Sequence, residues 1–250
     1  MSVRELSGST AIVTGASRGF GRATAMALVD HGAHVVGVAR SQAPLRELED
    51  ELGSLFTAEV ADATDPSLPA TLFSRYKAQT VVLIAGAAPF TAPFHEQTWQ
   101  DFSRNWDVDV QHVFNFLRQA LAEPLSPGGV VVTMSSGAAM RGSPLSGGYA
   151  GAKATIKFLS AYAGSEAQRN SLGLRFVSVL PQLTPATGLG RPAVEAYAER
   201  AGLTVDAYLD QAGPTLTIDQ AARSIVDLTR DDKYSAPAYL LSAQGLKAVD

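Results

Sequence analysis

The chain has no cysteine among its 250 residues. Disulfides, thiolate metal centres and cysteine nucleophiles are therefore excluded. It also lacks a basic excess: 20 Lys and Arg stand against 24 Asp and Glu, for a formal net charge of −4. That balance argues against a general electrostatic grip on nucleic acid or on an anionic membrane. No run approaches the roughly 20 apolar residues of a spanning helix. Residues 1–10 hold no apolar stretch of signal-peptide length, so a cytoplasmic protein is expected. The histidines, His31, His34, His95 and His112, fall at no metal-ligand spacing. Repeats and low-complexity tracts are missing too.

What is present is an alternation of short apolar runs with longer mixed segments. The runs are Ala11–Thr14, Val35–Ala39, Leu55–Val60, Val81–Ala85, Val130–Met134, Leu174–Leu180 and Ala238–Leu241. Several are rich in Val, Ile or Leu without polar alternation, as in strands covered on both faces. The segments between carry helical spacing, such as Ala25, Leu28 and Val29 before Gly32, or Phe114, Leu117, Ala120 and Leu121. This alternation predicts one α/β domain over residues 1–250, a Rossmann-type doubly wound parallel sheet with helices on both faces. Such folds bind ligands at the carboxyl ends of their strands. Residues 188–213 break the rhythm with two short helical stretches, Pro192–Ala201 and Ala207–Gln211. They read as a substrate lid or as a surface insertion.

The first apolar run flows into Thr14-Gly15-Ala16-Ser17-Arg18-Gly19-Phe20-Gly21, and a helical segment opens at once. Glycines allow a tight turn and close approach of phosphate oxygens. The helix N-terminus offers free N–H groups and a positive dipole end. Further along, Tyr149 and Lys153 stand four apart and so share a helix face. Ser136 precedes Tyr149 by 13 residues.

Together these features resemble the short-chain dehydrogenase/reductase family, whose signatures are Thr-Gly-x-x-x-Gly-x-Gly and Tyr-x-x-x-Lys with a serine upstream. The resemblance covers nearly the whole chain. It implies an oxidoreductase that transfers hydride between a nicotinamide dinucleotide and a small carbonyl or alcohol. Tyr149 is then the acid/base, with Ser136 on the carbonyl oxygen. Lys153 is adjacent, and its ammonium lowers a tyrosine pKa that is ordinarily about 10. Ser135, one residue away on a strand, faces the opposite side.

The second run ends at Ala39, where NAD-binding relatives carry an acidic residue for the ribose 2′-hydroxyl. Arg40 and Ser41 follow, and Arg18 with Ser17 lies in the glycine loop. Guanidinium forks suit a 2′-phosphate, so NADP(H) is the expected cofactor. By resemblance, Asp62 and Ala63 meet the adenine, and Ala85 and Gly86 pass close to the cofactor. Pro181, Leu183 and either Thr184 or Thr187 meet the nicotinamide carboxamide. The same resemblance implies a homodimer or homotetramer, built through the helix of Tyr149.

Three departures qualify the resemblance. Asp109 stands where the family has an asparagine. It reads as a charge that weakens the field of Lys153, as a proton relay, or as a helix-surface aspartate, with Asn105 and Asn115 uninvolved. Leu83-Ile84-Ala85-Gly86 replaces Asn-Asn-Ala-Gly, and Pro181-Gln182 replaces Pro-Gly. A cofactor-binding regulatory protein without turnover, and another reaction on the same fold, are the alternatives. Pro89, Phe90, Phe94, Met140, Leu145 and Leu189 are expected to line the cleft, which implies an apolar substrate.

Overall fold

The computed structural model describes residues 3–123, 125–126 and 128–249. Seven strands coincide closely with the apolar runs: β1 (Thr10–Thr14), β2 (His34–Ala39), β3 (Phe56–Val60), β4 (Thr80–Leu83), β5 (Val130–Met134), β6 (Arg175–Pro181) and β7 (Ala238–Ser242). They form one parallel array in the order β3-β2-β1-β4-β5-β6-β7. Every residue of β4 and β5 is buried, which is why their sequences run apolar without alternation.

A further strand, β8 (Gly245–Val249), pairs antiparallel with β7 through a tight turn that joins Ser242 to Gly245. The doubly wound parallel sheet expected from the sequence is thus present, with one antiparallel strand added at its edge. β8 is an edge strand, partly exposed along its length with Lys247 in solvent. It therefore needs no apolar run, and an exposed lysine there discourages further strand pairing.

Ten helices flank the sheet among the described residues: α1 (Gly19–Asp30), α2 (Gln42–Leu52), α3 (Leu68–Tyr76), α4 (Trp99–Asn105), α5 (Gln111–Ala122), α6 (Ala138–Arg141), α7 (Gly147–Arg169), α8 (Gly190–Arg200), α9 (Val205–Ala212) and α10 (Ile218–Arg230). One apolar layer packs Ala25 and Leu28 of α1 with Ile225 and Leu228 of α10 against one sheet face. The other packs Leu72 of α3, Phe116 of α5 and Ile156 of α7 against the opposite face. A capping box of Thr217 with Gln220 opens α10, and one of Thr98 with Asp101 opens α4; each satisfies helix N–H groups that would otherwise lack partners. Between α4 and α5 the chain makes a π-helical turn, Trp106–Val110, which carries Asp109. No described helix is long and apolar enough to cross a membrane.

From β1 the chain builds outward to β3, then returns to the other side of β1 as β4. The carboxyl ends of β1 and β4 therefore frame a switch-point crevice.

Candidate active site

A cleft of about 1020 Å³ opens at the carboxyl ends of the strands. Its first end is built by the glycine loop. Gly15 has φ +71°, and a Cβ there would lie 2.9 Å from the Ala85 nitrogen. The loop is tied to β2 by N–H bonds from Gly15 and Ala16 to the Val38 carbonyl, at 2.8 and 3.2 Å. The residue before α1, Arg18, is extended and gives no side-chain cap, so the first-turn N–H groups stay free. Such a terminus is a ready anion site.

Ser17, Arg18, Gly19 and Phe20 line this end, and Arg40 and Ser41 face them from the end of β2. Neither guanidinium makes a hydrogen bond or close ion pair with another described residue. The cradle and the two cations fit a dinucleotide. Gly21 does not reach the cleft. Its missing Cβ would sit 2.1 Å from the Gly15 carbonyl oxygen, so it seats α1 on the loop rather than touching a ligand. Asp62 and Ala63 line the same end. The Asp62 carboxylate accepts from the Thr64 N–H at 2.9 Å and the Thr64 hydroxyl at 2.8 Å. These bonds hold it below the usual carboxylate range, so a turn aspartate and a cleft residue are here the same group.

The second end carries Ser136, Tyr149 and Lys153. Ser136 and Tyr149 are partly buried, and Lys153 is buried under them. The Ser136 oxygen accepts from the Ala138 N–H at 3.2 Å, which leaves its proton free. Ser135 points away and donates to the Lys153 carbonyl at 2.7 Å. The Lys153 ammonium lies 5.5 Å from the Tyr149 ring centroid. It donates to the Met134 carbonyl at 3.0 Å and faces Asp109 Oδ2 at 3.1 Å, so one of its three protons remains. Burial lowers its pKa, but the Asp109 carboxylate, with Tyr149 adding to it, raises it further, and the net shift is upward.

Asp109 is 1% exposed, not on the helix surface. Its Oδ1 accepts from the Ala87 N–H at 2.8 Å and the Asn105 amide at 3.4 Å. Asn105 also donates to the Ala87 carbonyl at 2.9 Å. The pair thus braces the loop after β4, where the family's asparagines are missing. Thr14 completes the brace by accepting from the Ile84 and Ala85 N–H groups at 3.0 and 3.2 Å. Gly86 is small for the same reason, since a Cβ would meet the Asp109 carboxylate at 2.9 Å. The helix-surface reading of Asp109, in which Asn105 is uninvolved, is overturned. The i, i+4 spacing of Asn105 to Asp109 was the sequence signal. Asn115 donates to the Thr64 carbonyl at 3.1 Å and so supports the loop beside Asp62.

Pro181, Leu183 and Thr184 line the cleft beyond β6, and so does Thr187. The Thr184 hydroxyl is committed, donating to the Leu216 carbonyl at 2.6 Å and accepting from the Ala186 N–H at 3.2 Å. Thr187 accepts from the Gly190 N–H at 2.9 Å and keeps its proton. Helices α8 and α9 border this end through Ala193, Tyr197 and Tyr208. The apolar lining expected from the sequence is corrected. Pro89 and Leu189 line the cleft, but Phe90, Phe94 and Met140 are 38%, 74% and 46% exposed outside it, and Leu145 is buried beside it. Polar side chains missed by sequence reasoning take their place: Arg141, Ser143, Ser146, Tyr197 and Tyr208.

The family model described as short chain dehydrogenase matches residues 9–198. An NADPH-dependent pterin aldehyde reductase of Arabidopsis thaliana is 33% identical over 60% of this chain and 66% of its own length. A sorbitol dehydrogenase of Cereibacter sphaeroides is 32% identical over 69% of this chain and 70% of its own. A serine 3-dehydrogenase of Agrobacterium fabrum is also 32% identical, over 69% and 70% of the two chains.

Proposed function

The chain belongs to the short-chain dehydrogenase family, and on that premise we propose that it is an NADP(H)-dependent carbonyl reductase or alcohol dehydrogenase. The observation that carries this reading is the convergence of Ser136, Tyr149 and Lys153 on the cleft that also holds the glycine cradle. The relatives named above act, by name, on an aldehyde, a sugar alcohol and an amino acid, which agrees with carbonyl–alcohol chemistry. Arg18 and Arg40 support the phosphorylated cofactor, and the name of the plant relative points the same way.

When bound, the dinucleotide supplies or accepts the hydride. The chain's own residues handle the proton and the oxygen. Tyr149 gives its phenolic proton to the carbonyl oxygen, and Ser136 donates a hydrogen bond to that same oxygen. The Lys153 ammonium stabilises the phenolate left behind. Asp109 acts as a positioning residue: it holds Lys153 by charge and the loop of Ala85 and Gly86 by its bond to Ala87. Gly15 and Gly19 let the loop approach the pyrophosphate, Asp62 and Ala63 face the adenine, and Pro181, Leu183 and Thr187 face the carboxamide. Residues 188–213 serve as the lid.

The test is NADPH consumption with a panel of aldehydes and ketones. Tyr149→Phe should lower kcat/KM by about 10² or more, the usual worth of a positioned acid. Unchanged turnover would remove Tyr149 from the mechanism, and cofactor binding without turnover on any carbonyl would favour the regulatory alternative. Arg40→Asp should shift preference toward NADH.

A homodimer or homotetramer is part of the same proposal. Trp106, Phe114, Phe158 and Tyr162 are 40–62% exposed on the π-helical turn, α5 and α7, with Phe158 stacked on Tyr162; exposed aromatic side chains of this kind can pair with those of a second copy. Phe158→Glu with light scattering would reveal the change of mass.

A further inference from the structure

We propose that the substrate end of the cleft is built for a carbonyl compound that carries a carboxylate, with Arg141 as its anchor. The proposal rests on the carbonyl-reductase reading for the reacting group, and on the charges of the cleft for the rest. Four cations line the cleft, Arg18, Arg40, Arg141 and Lys153, against two anions, Asp62 and Asp109. Asp109 is spent on Lys153. Asp62 lies at the other end, where Arg40 is the cation whose field it feels, and the arginines there face the cradle. Arg141 is left. It ends α6, between Ser136 and Tyr149 in the chain, and makes no hydrogen bond or ion pair with another described residue. No acidic side chain lines its end of the cleft.

A second observation supplies another donor there. Ser143, Ser146 and Tyr197 join in one hydroxyl network, with Ser143 bonded to the Tyr197 hydroxyl and, at 2.6 Å, to that of Ser146. The Ser143 oxygen also accepts the Ser146 N–H at 3.2 Å. A hydroxyl has one proton to give. Ser143 can donate to only one neighbour, so that neighbour keeps its own proton unused. All three hydroxyl residues line the cleft, and Tyr197 brings α8 into the network. A free guanidinium and a spare hydroxyl proton on the same wall ask for an acceptor-rich, anionic group. A carboxylate supplies both the charge and two oxygens to accept these bonds.

The test is ligand-observed saturation-transfer NMR on the full chain with NADP+. The probes are pyruvate, acetoacetate and levulinate, each against its methyl ester. The series moves the carboxylate stepwise away from the carbonyl, so the best member reports the spacing between Arg141 and Ser136. At least one acid should bind tenfold or more tighter than its ester. Arg141→Gln should erase that preference, and Arg141→Lys should keep part of it. Arg141 is exposed and unpartnered, so both variants should fold, and a thermal melt checks this. Equal binding of every acid and ester, or a preference that survives Arg141→Gln, overturns the proposal. Reduction of the esters with dependence on Tyr149 would then leave the reductase reading standing. If no carbonyl is turned over yet the acids still bind through Arg141, the reductase reading falls and this site remains.

Discussion

The two ends of the cleft are made from different materials. The nucleotide end is backbone N–H groups, glycines, Arg18 without a partner and Arg40 facing only the field of Asp62, an arrangement whose charge is balanced when a ligand arrives. The reactive pair is closed on itself: Lys153 pairs with Asp109, Asp109 holds Ala87 and Asn105, and Lys153, Asp109 and Asn105 are buried. The first end gains its electrostatic compensation on binding, whereas the Lys153–Asp109 pair of the second has made its compensation on folding and leaves only Arg141 there for a ligand. Charge removal should therefore hurt binding at the nucleotide end and stability at the Lys153–Asp109 pair.

The largest expected effect tests that division directly. Asp109→Leu leaves the Lys153 ammonium buried without a counterion, a change that ordinarily costs about 3–5 kcal/mol. Arg40→Leu removes an exposed cation that makes no hydrogen bond or close ion pair, and should stay within about 0.5 kcal/mol. Urea denaturation of the two variants compares them. Equal losses would mean that the reactive end is no more committed than the nucleotide end. Asp109→Asn refines the result, since the amide oxygen can still accept the Ala87 N–H while the charge is gone. Burial would then act on Lys153 against Tyr149 alone, and its pKa should fall. Recovery of the Ala87 bond without recovery of stability would assign the cost to the ion pair.

A smaller effect concerns His112, which lies on α5 one turn beyond Asp109, fully buried and edge-on to Phe116. Burial pushes its pKa down to about 4, against the pull of Asp109. Above about pH 6.5 the imidazole is neutral whether the chain is folded or not. Between about 6.5 and 4 the unfolded chain takes up a proton that the folded chain refuses, so stability falls as pH falls, by about 3 kcal/mol over the window. Asp62, Asp65 and Asp101, held below the usual carboxylate range by hydrogen bonds to Thr64, Ser67 and Thr98, lose their contribution only at lower pH. Denaturation of the parent and of His112→Leu at pH 7 and pH 4.5 isolates the imidazole. A slope that survives the substitution would place the acid sensitivity elsewhere.

These contrasts also mark what the sequence could reveal. The inner strands were readable because burial on both faces leaves no polar alternation to confuse with a helix, whereas β3, at the sheet edge, is only partly buried. The glycine loop, Arg40, and the Ser136, Tyr149 and Lys153 pattern were readable because each depends on local spacing. β8 was not, because a five-residue edge strand interrupted by Lys247 looks like a tail. The π-helical turn at Trp106–Val110 has no composition of its own, so Asp109 was located by position while its burial and its partners were not. The cleft lining failed for a related reason. Phe90 and Met140 are of the right residue type, but side-chain direction in a loop or a one-turn helix is decided by the fold. The network of Ser143 and Tyr197 joins residues 54 apart in sequence, beyond any local rule.

The smallest expected effect lies where the two ends meet, beyond β6, and decides between two threonines that the sequence left open. Thr184 has spent its hydroxyl on the Leu216 carbonyl and the Ala186 N–H, whereas Thr187 keeps a proton. Thr187→Val should remove one neutral hydrogen bond to the dinucleotide, worth about 1 kcal/mol or roughly fivefold in its Kd. Thr184→Val should instead leave the Leu216 carbonyl without its donor, lowering stability by about 1–2 kcal/mol with little change in binding. Fluorescence titration with NADPH beside urea denaturation reads both quantities for both variants. The reverse pattern would return the carboxamide contact to Thr184 and require the loop from Thr184 to Gly190 to rearrange when the dinucleotide binds, so that this stretch would belong with the open end of the cleft rather than the closed one.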